Sequence, residues 1–216
     1  MPGKLWMCLA LIVCASRASC LAKEIQFECN ELGPGATQTY LETFPVKNKF
    51  VTQIKITIDA SNVGTADKPK CHVKWTVRAT SAGRSRVLFT YTDDPQYDTN
   101  GAALEGVSPD GSKLLLDFFT AAGDYTGHRP VVYDFLTSRW TLRDVGTRVT
   151  RNLPKCDYST LIDSVTNDGN VILYVPKSLY VDQGCPDQGQ WLLNMEADTI
   201  TRLDKAHASL KAQSPR

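Results

Sequence analysis

Apolar and polar side chains alternate with a period of two along much of the chain. Ile54, Ile56 and Ile58 are separated by Lys55 and Thr57, and Val73, Trp75 and Val77 by Lys74 and Thr76. Val87, Phe89 and Tyr91 are separated by Leu88 and Thr90. Successive side chains of a strand point to opposite faces, so each run predicts a strand with one buried face. Ser81 to Ser85, around Gly83, reads as the hairpin turn between the last two runs. A helical period would put lysines and threonines on the core stripe. The one segment that reads as a helix is short and C-terminal, Asp204 to Ala212. Leu114 to Phe119 and Val171 to Val175 are apolar almost throughout, which predicts inner strands covered on both faces. Trp75, Trp140 and Trp191 fall in strand pattern and read as core.

The two apolar strands belong to two copies of one unit. The first copy runs Val107-Ser-Pro-Asp-Gly-Ser-Lys-Leu-Leu-Leu and then, after a loop, Val131-Val-Tyr-Asp-Phe. The second runs Val165-Thr-Asn-Asp-Gly-Asn-Val-Ile-Leu-Tyr and then Trp191-Leu-Leu-Asn-Met. Asp110-Gly111 and Asp168-Gly169 each supply a tight turn in which glycine is free to take positive φ. Asp134 and Asn194 then open a second hairpin in each copy. The Ser-Pro-Asp-Gly-Ser-Lys turn followed by Val-Tyr-Asp-Phe resembles a blade of the TolB-like β-propellers, over about residues 107–204. That resemblance implies an all-β, propeller-like packing of antiparallel sheets. A propeller closes with about four to eight blades, and no Asp-Gly turn lies one period before Val107. The expectation is therefore few or incomplete blades, with a β-sandwich as the alternative. The chain divides accordingly into a leader (1–22), an N-terminal β-rich half (23–105), two propeller-like repeats (106–204) and a polar tail (205–216).

The leader sets the compartment in which the cysteines are read. Lys4 precedes an uncharged apolar run from Leu5 to Ala15. That run is too short for the roughly 20 residues that cross a bilayer as a helix, but it suits the core of a signal peptide. Cleavage after Ala22 would open the mature chain at Lys23. Acylation of Cys20 is disfavoured because Arg17 stands where a lipobox needs an aliphatic residue. The leader therefore implies secretion or periplasmic residence, with no membrane span. Cys29, Cys71, Cys156 and Cys185 remain after cleavage, an even set that reads as two disulfides in an oxidising compartment. Pairing Cys29 with Cys71 and Cys156 with Cys185 keeps each bond within one structural unit. No Cys-x-x-Cys pair is present, so a zinc or redox dithiol site is disfavoured.

Composition narrows function by exclusion. With 42% hydrophobic and 22% charged residues and a formal charge of +1, the chain is ordinary globular material without bulk attraction to nucleic acid. No nucleophile-elbow, zinc-protease or phosphate-loop motif occurs. Asp93, Asp94, Asp98 and Asn100 form the densest acidic loop and offer oxygen ligands to a cation, but without the full alternating pattern of a calcium loop. Asp124 and His128 lie in one Gly-rich loop and could act as an orienter and base, although those residue types also suit an exposed turn. The reading is an exported, non-enzymatic β-protein that binds another protein or itself, with no cofactor and no metal. The alternative is a secreted, glycan-directed hydrolase using carboxylates among Asp94, Asp98, Asp124 and Asp182.

Overall fold

The structure, a computed structural model, describes residues 24–93, 99–122, 125–145, 161–175 and 188–203. Its strands are β1 (Glu24–Glu28), β2 (Thr37–Pro45), β3 (Gln53–Asn62), β4 (Cys71–Ser81), β5 (Arg84–Asp93), β6 (Thr99–Val107) and β7 (Lys113–Ala122), followed by β8 (Tyr125–Asp134), β9 (Arg139–Leu142), β10 (Leu161–Val165), β11 (Val171–Val175), β12 (Gly189–Asn194) and β13 (Thr199–Arg202). They form three antiparallel sheets: sheet I, β2-β3-β4-β5; sheet II, β1-β6-β7-β8-β9; and sheet III, β10-β11-β12-β13. The chain is all-β, and none of the three sheets closes on itself. Leaving β1 aside, each sheet is four consecutive strands running up and down beside one another. That connectivity suits both an incomplete propeller and stacked sandwich layers. Among the described residues, no helix is long and apolar enough to cross a membrane.

Sheet II lies between the other two, and strand alternation explains how. Leu114, Leu116 and Phe118 of β7, with Val131 and Tyr133 of β8, share one core with Ile54, Ile56 and Ile58 of β3 and Val73, Trp75 and Val77 of β4. The intervening residues Leu115 and Val132 point the other way and share a second core with Val165, Val171, Leu173 and Leu193 of sheet III. Leu114, Leu115 and Leu116 are all fully buried, as the unbroken apolar run predicts. Aromatic rings bridge sheets I and II, with Trp75 and Phe118 centroids 4.9 Å apart. The predicted Cys29–Cys71 disulfide is formed and joins the end of β1 to the start of β4. Cys156 and Cys185 lie outside the described residues, as does the helix read at Asp204 to Ala212.

The two repeat copies fold alike. Gly111 and Gly169 take φ of 74° and 82°, and each donates its amide to the carbonyl three residues back, Ser108 and Thr166. In the second hairpins, Asp134 Oδ1 accepts the amides of Leu136 and Thr137, while Asn194 Oδ1 accepts those of Glu196 and Ala197. Ser138 and Asp198 occupy the same left-handed position in the two turns, at 56° and 63°. A short acceptor side chain that bonds its own backbone two residues on explains why Asp and Asn interchange there.

Three local expectations need correcting. A register shift between Val77 and Arg78 turns Val87 outward to 45% exposure, so the alternation read through Val87, Phe89 and Tyr91 breaks at its first member. A bulge changes the face on which one strand presents its side chains. Trp140 is not core: it sits on edge strand β9 at 38% exposure, stacked on Phe89 at 4.9 Å. Finally, β11 is covered on one face only. Val171, Leu173 and Val175 are buried, whereas Tyr174, on the face turned away from sheet II, remains 37% exposed.

Candidate functional site

Two features gather polar chemistry, and both involve sheet II. The first grows from Asp117, a carboxylate in the middle of the apolar β7. It points to the same side as Leu115, toward sheet III, and its residue is only 1% exposed. A buried charge needs partners, and neighbouring β8 supplies two. Asp117 Oδ2 lies 2.5 Å from His128 Nδ1, and Oδ1 accepts the amide of Arg129 at 2.9 Å. Glu105, the extra residue at the bulge of β6 between Leu104 and Gly106, completes the cluster.

His128 is therefore not in an exposed loop beside Asp124. It occupies β8 opposite Phe119, with its side chain 18% exposed, and its partner is Asp117. Asp124 lies outside the described residues. The next residue, Arg129, faces sheet I, where its guanidinium pairs with Asp93 and donates to the Tyr91 hydroxyl at 3.3 Å. Asp93 is thereby drawn into an inter-sheet ion pair and away from the acidic loop. Asn100 is on β6 and 1% exposed, paired with Phe27 and Thr120. Asp94, Asp98 and Asp182 lie outside the described residues. Among those described, no group of three or more His, Cys, Asp or Glu side chains is placed to hold a metal ion.

Electrostatics within the cluster favour protons. Burial, then the Asp117 charge, pushes Glu105 up to about 7 against the opposing pull of His128. Burial works against the charge on His128, but its bond to Asp117 and the Asp117 and Glu105 charges outweigh it, so its pKa is raised. Both groups take protons more readily folded than unfolded, so both shifts act in one direction. The Glu105 contribution is full below its unfolded value near 4.5 and falls as pH rises through about 7. That of His128 is full below 6.5 and falls as pH rises through its raised value. Unfolding followed by chemical denaturation should show the protein less stable at pH 8 than at pH 5, by on the order of 2–3 kcal/mol. Glu105→Gln should flatten most of that slope. A slope unchanged in the variant would remove Glu105 as its source.

The second feature is a cleft of about 320 Å³ between sheets II and III, where the two Asp-Gly turns meet. Asp110 accepts from Ser108 Oγ, Ser112 N and Ser112 Oγ, which holds its carboxyl down at about 2. Its amide donates to Asn167 Oδ1 of the other turn at 3.0 Å. This bond ties the first repeat to the second. One wall carries the Lys113–Asp134 ion pair (2.8 Å), Thr137 and Arg139, and the other carries Asp168 and Glu196. The apolar floor comes from Val132 and Met195.

Comparisons with family models, with curated proteins and with solved structures give no match to this chain. The sequence reading missed Asp117, Glu105 and the pairing role of Arg129. One signal did exist: a single carboxylate inside Leu-Leu-Leu-Asp-Phe-Phe is too costly to bury alone, so it announces a partner. Glu105 carried no such signal, because it lies in a segment with no unbroken apolar run, Leu-Glu-Gly-Val.

Proposed function

We propose that this chain is an exported, non-enzymatic β-protein that binds another protein at the turn end of sheets II and III. The observation that carries the reading is the cleft itself. It opens where the two repeats are locked turn to turn, and it has charged groups on both walls. Loops and turns held by a rigid sheet scaffold are where binding residues concentrate, and ligand clefts commonly have volumes upward of roughly 300 Å³. Export is supported by the signal-peptide pattern of residues 1–22 and by the Cys29–Cys71 bond, which suits an oxidising compartment. The propeller-like repeat, with its resemblance to TolB-like blades, belongs to the same proposal.

One observation favours a hydrolytic reading instead. Asp117 holds His128 by Nδ1, the arrangement of an orienter and a base. Both Asp117 oxygens are engaged by β8, and no serine, threonine or cysteine is bonded to His128 among the described residues. A photoreactive residue at Thr137 should cross-link a partner from secreted or envelope extract. The same residue at Lys74, on the outer face of sheet I, should not. Hydrolysis of ester or glycoside substrates should stay at background in the wild type. Turnover that His128→Ala abolishes would replace the binding reading with the enzymatic one.

A further inference from the structure

We infer that the cleft between the two repeats accepts a basic side chain, arginine or lysine, presented by an extended segment of the partner protein. This rests on the binding reading above and names the chemistry of the same site. Lys113 and Asp134 neutralise one another at 2.8 Å, and their side chains are only 13% and 21% exposed. Arg139, Asp168 and Glu196 are left. Among the described residues, none of these three side chains makes an ion pair or a hydrogen bond. Two carboxylates against one guanidinium leave the cleft with an uncompensated negative charge.

Position decides how the charge is used. Asp168 stands in the turn held to the first repeat, and Glu196 in the second-repeat hairpin whose backbone Asn194 fixes. Both carboxylates are therefore carried on constrained backbone of sheet III. Opposite them, Thr141 offers a hydroxyl that suits a passing peptide backbone, while the Thr137 hydroxyl is bonded to Asp134. Between the walls, Val132 and Met195 provide the apolar surface along which a lysine or arginine stem lies while its charged head stays polar. The volume suits one long side chain with its flanking backbone, and not a folded ligand. Arg139, at the rim on β9, takes no share in binding the cation and disfavours it.

The test titrates the full chain, followed by amide chemical shifts, with two capped tripeptides, acetyl-Gly-Arg-Gly-amide and acetyl-Gly-Glu-Gly-amide. The arginine peptide should bind and shift the amides of residues 168–170 and 195–196, and the glutamate peptide should not. Asp168→Asn with Glu196→Gln should weaken the arginine peptide at least tenfold, whereas Arg139→Gln should leave its binding unchanged or tighter. The three substituted side chains are exposed, so the fold should persist, and an unchanged melting curve checks this. Failure of the arginine peptide to bind, or its binding unaltered in the double variant, overturns the inference. So does glutamate-peptide binding that Arg139→Gln abolishes. Cross-linking from Thr137 that survives any of these results leaves the binding function standing and removes only its cationic ligand.

Discussion

Leu115→Asp should unfold the protein, or leave it destabilised by more than about 4 kcal/mol, in a denaturation series read by near-ultraviolet circular dichroism. Leu115 is fully buried and faces Val171, Leu173 and Leu193 across the gap between sheets II and III. A carboxylate there gains no free cation, because the two cationic groups that flank it on this face, Lys113 and His128, are already held by Asp134 and Asp117. Leu115→Ala separates lost packing from added charge and should cost about 2–5 kcal/mol. Leu161→Asp serves as the control: Leu161 is 51% exposed, and the change should stay within roughly 0.5 kcal/mol. A stable, cooperatively folding Leu115→Asp protein would mean that sheets II and III do not pack through this residue.

Loss of the Cys29–Cys71 bond should be the second large effect. The bond closes a segment with a sequence separation of 42 residues, and the loop-entropy relation gives such a constraint about 4 kcal/mol. Both sulfurs are buried in the core that sheets I and II share, so Cys29→Ser/Cys71→Ser also places two hydroxyls among apolar groups. The double variant should denature at clearly lower denaturant than the wild type, and a reductant should reproduce most of the shift. A midpoint indifferent to reductant would show that the bond does not constrain the unfolded chain.

The parts of the fold legible in the sequence were those governed by short-range periodicity. The Ile54–Ile58 alternation became β3, and Leu114–Phe119 became an inner strand because both of its faces are covered. Asp110-Gly111 and Asp168-Gly169 marked two equivalent turns because positive φ selects glycine. What stayed hidden depends on pairing between distant segments. A bulge against β4 turned Val87 outward, and only the pairing of β6 with β7 brings Glu105 near Asp117. Tyr174 of β11 stayed exposed on the face turned away from sheet II. The candidate site divided in the same way. Asp93, Asn100 and His128 were singled out, but each belongs to a strand end or strand interior whose neighbours come from other sheets or strands. Asp117 could be suspected of having a partner, and only the β7–β8 register shows that the partner is His128.

Strand β1 is synthesised first and used late. Its neighbour in sheet II is β6, and Glu28 meets Thr99 across a sequence separation of 71 residues. All of sheet I lies in that interval, so β1 can pair with β6 only after the whole of sheet I has been made. The Cys29–Cys71 bond shortens that connection. Once it forms, the path from Glu28 to Thr99 runs through the sulfurs and the residues after Cys71, well under half its former length. By the logarithmic dependence of closure entropy on loop size, this eases the joining of β1 to β6 by a little over about 0.6 kcal/mol. Oxidation of the two thiols thus bears on assembly as well as on the finished protein: the bond keeps the first strand near the place where the sixth will arrive.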